Sequence, residues 1–186
     1  SSLLASGILE NSTDCHSHIL YGVDDGVGTL AESLEILDYL QELGVKELWC
    51  TPHVMEDIPN TTQFLRERFA QMQQEYKGNI KLNLAAEYML DTLFEARLKS
   101  ADLLTMEDDS LLVETSTVAE PYNLYGVLQD IMSAGYRPLY AHPERYRFLG
   151  EKDFDKLKTT LIEAWRTQLY MDKFDLEPQY KEAQDF

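Results

Sequence analysis

The sequence predicts an α/β architecture, either a parallel sheet or a β/α barrel, and three observations point to it. Strand-like and helix-like segments alternate as about five strand–loop–helix units. Every histidine of the chain, and two glutamates, fall at or just beyond the C-terminal ends of those strands, where such folds collect their chemistry. The length of 186 residues, 44% of them hydrophobic, suffices for one domain, 1–186, with a real core.

The first unit opens on Asp14-Cys15-His16-Ser17-His18. Side chains alternate along a strand, so His16 and His18 share one face, with Asp14 beside them and Ser17 opposite. Tyr21-Gly22-Val23-Asp24-Asp25-Gly26 cannot continue a strand and reads as a loop. Thr29-Leu30-Ala31-Glu32 is a capping box, and Leu30, Leu34, Leu37 and Leu40 follow at helical spacing up to Gly44. Val45–Cys50 is the second strand, halted by Thr51-Pro52, with His53 just past it. Residues 60–76 form the next helix. Ile80–Glu87 alternates as one strand with Glu87 at its end, and Asp91 N-caps a helix over 91–99. Ser110–Val113 is a strand ending in Glu114, Pro121–Ala134 a helix, and Arg137–Ala141 a fifth strand followed by His142-Pro143-Glu144-Arg145. Beyond Gly150 the pattern fades; residues 153–165 read as helical, and 168–186 are acidic and unpunctuated.

Composition excludes several classes. A formal charge of −17 argues against nucleic acid, whose backbone is held by clustered Lys and Arg. Two cysteines are too few for a disulfide framework and suit a reducing compartment. Neither begins the Cys-x5-Arg loop of thiolate phosphatases, since the arginine position holds Tyr21 after Cys15 and Glu56 after Cys50. No Lys or Arg precedes Lys46, so no secretory signal is read at the start. No apolar run has the length of a membrane span. A cytoplasmic protein without membrane insertion is expected, and an oligomer is left open.

His16, His18, His53, Glu87, Glu114 and His142 are the candidate metal ligands. Neutral imidazole and carboxylate are ligands for divalent transition metals, and Asp14 could orient a ring from behind. Each residue has a plainer reading: His53 as a helix cap, Glu87 and Glu114 as partners of arginines, His142 as a turn histidine. Together those readings require six coincidences at one kind of position.

These motifs resemble one family. Asp14-Cys15-His16-Ser17-His18-Ile19-Leu20 with Gly22-Val23-Asp24-Asp25-Gly26, then Thr51-Pro52-His53, Ala86-Glu87-Tyr88, Leu112-Val113-Glu114 and Ala141-His142-Pro143-Glu144-Arg145-Tyr146 are similar to the successive motifs of the polymerase-and-histidinol-phosphatase (PHP) superfamily. More narrowly they resemble the bacterial manganese-dependent tyrosine-protein phosphatases of capsular and extracellular polysaccharide loci. The resemblance implies a distorted, TIM-like β/α barrel of the PHP type with a cluster of two or three divalent metals on its C-terminal rim. It implies that His16 and His18 hold one metal, that Glu87 bridges, and that His53, Glu114 and His142 complete the others. His142 and Arg145 would be the catalytic pair, with Arg145 contacting phosphate. Manganese is the ion implied; iron and zinc also suit this donor set. The implied reaction is hydrolysis of phosphotyrosine, on the tail of a polysaccharide-assembly tyrosine kinase, by metal-activated hydroxide.

One departure stands out. The family completes its site with Ser-Asp-x-His on a late strand, and this chain has no histidine after His142. The barrel is therefore expected to be incomplete at its C-terminal end over 151–186. A stretch missing near 158–164, a truncation, and a degenerate non-catalytic module compete to explain it, the first being expected. A small phosphomonoester such as histidinol phosphate is the alternative substrate.

Overall fold

Short β-rich runs separated by helices can hydrogen-bond to one another only in parallel, because each helix returns the chain to the end where the previous strand began. The computed structural model, which describes residues 7–150, 152–153 and 155–162, has this arrangement. Its elements run β1 (Thr13–Ser17), α1 (Leu30–Glu42), β2 (Glu47–Cys50), β3 (His53–Val54), α2 (Thr62–Glu75), β4 (Lys81–Leu84), β5 (Glu87–Met89), α3 (Thr92–Ser100), β6 (Ser110–Glu114), α4 (Leu124–Ser133) and β7 (Arg137–Tyr140).

All named strand pairs are parallel, in two ladders ordered β1-β2-β4 and β3-β5-β6-β7. The ladders are halves of one surface. Thr51-Pro52 parts β2 from β3 and Ala85-Ala86 parts β4 from β5, and single amide bonds cross the breaks: Thr51 N–H to Ser17 O at 2.8 Å, Ala85 N–H to Cys50 O and Glu87 N–H to Pro52 O, both at 2.9 Å. Read as β1, β2/β3, β4/β5, β6 and β7, neighbours in space are neighbours in sequence. That is the strand order of a β/α barrel. Among the described residues the two edges, β1 and β7, do not meet, so no closed barrel forms.

The helices begin where their caps dictate. Thr29 Oγ1 accepts from Glu32 N–H while Glu32 Oε2 accepts from Thr29 N–H, a complete capping box. Thr61 Oγ1 and Asp91 Oδ1 cap α2 and α3, accepting from Phe64 N–H at 3.1 Å and from Phe94 N–H at 2.9 Å. Gly44, at φ +97°, turns the chain out of α1 in a conformation that disfavours any residue with a Cβ. Leu37, Leu65, Met72, Phe94, Leu128 and Ile131 seal the helices against Leu20, Leu48, Tyr88, Leu111 and Val113.

Two expectations change. The alternating run Ile80–Glu87 is not one strand but two, because the chain leaves one ladder at Ala85 and joins the other at Glu87. His53 follows β2 as expected, but it is not in a loop: it opens β3. Residues 152–153 and 155–162 are helical, in line with the expected helix, whose remainder to 165 lies outside the described residues. The barrel-closing strands and the late motif have no counterpart among the described residues; residues 163–186 and part of the expected join near 158–164 lie outside them.

Candidate metal centre

The six predicted residues arrive on one rim from six places: His16 on β1 and His18 just after it, His53 and Glu87 as the first residues of β3 and β5, Glu114 as the last of β6, and His142 two residues beyond β7. The register puts His53 directly beside Glu87. Glu87 is the hub, fully buried, and each imidazole reaches it. His16 Nε2 and His142 Nε2 stand 3.3 and 2.9 Å from its Oε1; His18 Nε2 and His53 Nδ1 stand 3.3 and 3.1 Å from its Oε2. Glu114, also buried, lies 2.8 Å from His53 Nδ1 and 3.5 Å from His142 Nε2. Arg145 is exposed on the turn that follows His142, outside this ring of contacts.

Partners behind the rings set which nitrogen faces inward. The Thr51 hydroxyl donates to Ser17 O at 3.3 Å, leaving Oγ1 to accept from Ser17 N–H at 3.1 Å and from His16 Nδ1–H at 2.6 Å. The proton on Nδ1 leaves the His16 lone pair on Nε2, toward Glu87. Asp24 does the same for His18, its Oδ2 accepting from Nδ1–H at 2.8 Å and from the His53 amide at 3.0 Å. The expectation for Asp14 is corrected: its carboxylate accepts the His16 backbone N–H at 3.1 Å, a local turn bond, and Thr51 holds the ring.

Two backbone features are special. Gly26 packs so tightly that a Cβ there would stand 2.3 Å from His18 O and 2.6 Å from His18 Cβ. His142 is left-handed at φ 32°, ψ 55°, a conformation costing a non-glycine residue on the order of 1 kcal/mol. Pro143 behind it excludes the ordinary helical region. The Tyr146 ring stacks 5.7 Å from the His142 ring, and its hydroxyl accepts Thr115 N–H at 3.3 Å.

Electrostatically the cluster is held by mutual attraction. Burial would depress His18, but hydrogen bonds to Asp24 and Glu87 and the charges of both override it, and the ring is raised to about 10. His53 is raised against its burial by Glu114 and Glu87. Burial pushes Glu87 up, yet the surrounding histidines hold it well below the carboxylate range, and His18 with two backbone amides does the same for Asp24. Even so, His53 Nδ1, Glu87 Oε2, Glu114 Oε1 and His142 Nδ1 are buried without an aligned hydrogen-bond partner. His53 Nδ1 lies 3.1 Å from Glu87 Oε2 and 2.8 Å from Glu114 Oε1 without forming a hydrogen bond to either, and the donor atoms of the three residues lie within 4.8 Å of one another. Such convergence of lone-pair donors fits a cation.

Three groups of donor atoms have mutual distances a single ion could satisfy: His16–Glu87–His142, His53–Glu87–Glu114 and His18–Asp25–His53. Asp25 was not among the sequence candidates, although its Asp-Asp-Gly loop directly after His18 was the available signal. A neutral imidazole has one lone pair, so His53 serves one of its two groups at a time.

A family model described as capsular polysaccharide synthesis, CpsB/CapC, matches residues 12–164. The tyrosine-protein phosphatase CpsB of Streptococcus agalactiae is 27% identical over 168 residues, covering 84% of this chain and 66% of the relative. The tyrosine-protein phosphatase YwqE of Bacillus subtilis is 30% identical, covering 74% of this chain and 56% of the relative. A crystal structure from work on YwqE of Bacillus subtilis and CpsB of Streptococcus pneumoniae, described as unique metal-dependent tyrosine phosphatases, superimposes with a TM-score of 0.70 at 27% identity, covering 82% of this chain and 63% of that one. The chain thus spans just under two thirds of the S. agalactiae relative and of the matched structure, and a smaller share of YwqE.

Proposed function

Because the chain belongs to the CpsB/CapC family of capsular polysaccharide synthesis, we propose that it is a single-domain metal-dependent hydrolase of phosphotyrosine in proteins. The supporting observation is the buried Glu87 carboxylate with an imidazole approaching from each of the chain's four histidines. His16, Glu87 and His142 would hold one divalent ion, and His53 would serve a second, either with Glu87 and Glu114 or with His18 and Asp25. Bound divalent ions supply a water acidic enough to act near neutral pH and neutralise phosphate charge. Manganese is the ion we propose, iron and zinc being compatible with the same donors.

The chain's own groups orient and hold. Thr51 and Asp24 fix the inward-facing nitrogens of His16 and His18. His142 is placed at the rim by its left-handed backbone, and the exposed Arg145 beside it is proposed to offer planar donors to phosphate oxygens. We propose that it works in the cytoplasm, a compartment with which the free thiols of Cys15 and Cys50 are compatible. The substrate we propose is the phosphorylated tail of a tyrosine kinase of polysaccharide assembly.

The test is direct. Protein purified with manganese is expected to release phosphate from a phosphotyrosine peptide and to lose that activity on chelation. Turnover that survives complete removal of metal would refute the proposal.

A further inference from the structure

Asn60 lies in the connection before α2 and belongs to none of the three donor groups, yet its side chain touches two segments that carry them. Its Nδ2 donates to Val23 O at 2.8 Å and to His53 O at 3.0 Å. Val23 precedes Asp24 and Asp25 in the loop after His18, and His53 opens β3. One amide therefore spans the gap between the loop that bears Asp25 and the strand that bears His53. Asp24 ties the same two segments on the other side of His53, accepting its N–H at 3.0 Å.

Asn60 is itself anchored. Its backbone carbonyl accepts from Arg97 Nη2 at 2.6 Å, and Arg97, buried on α3, also reaches Asp102 at 3.4 Å. Thr62 Oγ1 donates to the same Asp102 at 2.6 Å, which closes the anchor onto the first residue of α2. The amide that bridges the two segments is thus tied through Arg97 and Asp102 to α3 and to the start of α2.

The loop is also closed on itself, by Gly22 N–H to Val27 O at 2.8 Å, Val27 N–H to His18 O at 3.1 Å and Gly26 N–H to Asp24 Oδ1 at 3.0 Å, but these bonds shape the loop without tying Asp25 to β3. That residue is exposed, and its Oδ1 stands 3.6 Å from His53 Nε2. His16, Glu87, Glu114 and His142 are held by strands and by burial; Asp25 is held by a loop. We infer that Asn60 is a positioning residue for the His18–Asp25–His53 group, setting the separation between the Asp25 loop and β3 so that the three donors can share one ion. The inference rests on the metal reading proposed above and concerns one group of the three.

The experiment counts manganese bound by the full chain and measures its affinities, by elemental analysis and by electron paramagnetic resonance of free Mn²⁺. The variants are Asn60→Leu, Asn60→Ser, Asp25→Asn and the double variant N60L/D25N. Asn60→Leu and Asn60→Ser are each expected to weaken one ion by about 10- to 100-fold, the range seen when a supporting partner of a ligand is lost. The other ions should be retained and the thermal melt should stay cooperative. Asp25→Asn should weaken the same ion, and the double variant should be no worse than Asp25→Asn alone. Unchanged metal binding in both Asn60 variants would overturn the inference, as would additive losses in the double variant, or unfolding of both Asn60 variants. A parent protein that binds no manganese would instead overturn the underlying metal reading.

Discussion

A single methyl group probes how closely the site is built. Gly26→Ala would drive a Cβ into His18, with no flexible side-chain tip to yield, since the nearest atom is the His18 carbonyl oxygen. We expect a loss of roughly 1–3 kcal/mol in urea unfolding, the usual cost of forcing an atom into a packed site. Metal affinity should weaken as well, and wild-type behaviour in both measurements would show that the loop can yield. Protonation gives a second residue-scale test. Against its burial, Asp24 and Glu87 push the metal-free His18 ring up from 6.5 to about 10, so at neutral pH it holds a proton that a metal must displace. Metal binding should therefore release protons and tighten as pH rises toward 10. Calorimetry in buffers of different ionisation enthalpy reads this directly, and equal heats in all of them would contradict it. Without metal the sign reverses. A raised histidine pKa contributes stability that is full below 6.5 and lost as pH climbs through about 10, so the chelated protein should melt at lower temperature in alkali. The six candidate donors were legible because each follows or opens an apolar run. Thr51, Asp24 and Asn60 were not, because no periodicity relates a loop residue to the group it supports across the fold.

At the scale of elements, the strongest local signals translated directly. Thr29 and Glu32 were visible as a capping box and form both of its bonds. Replacing Thr29 with alanine should cost about 1 kcal/mol in chemical denaturation, without changing metal content, since α1 packs behind the site and contributes no donor. A change in bound metal would mean the loop and helix are coupled more tightly than their bonds indicate. Asp91 and Gly44 were read equally well, for the same reason: caps and left-handed turns depend on a few adjacent residues. The handover between ladders was not readable. Residues 80–84 alternate in sequence in the usual way, but Ala85, Ala86, Glu87 and Tyr88 are all buried, so Glu87 turns in toward the four imidazoles and not to the polar face shared by Lys81 and Asn83. Alternation reports that a strand exists; it does not report where the strand exchanges partners.

For the whole molecule, the net charge of −17 sets the long-range field. A phosphorylated acidic peptide approaching it is repelled except close to the bound cations, and salt screens that repulsion over about 10 Å at 0.1 M. The rate constant for a phosphotyrosine peptide at low substrate should therefore rise as salt is added from low ionic strength. A flat or falling profile would place the local field of the metal rim above that of the remaining surface. The parallel, sequentially ordered array was legible from the alternation of apolar runs and helices. Closure was not, since it depends on distant strands that no local pattern after Gly150 announces. Finally, the chain has four histidines and all of them surround Glu87. Any signal peculiar to imidazole, such as ring-proton resonances or paramagnetic shifts, comes from this pocket with no background from elsewhere, so occupancy can be followed in the unlabelled protein.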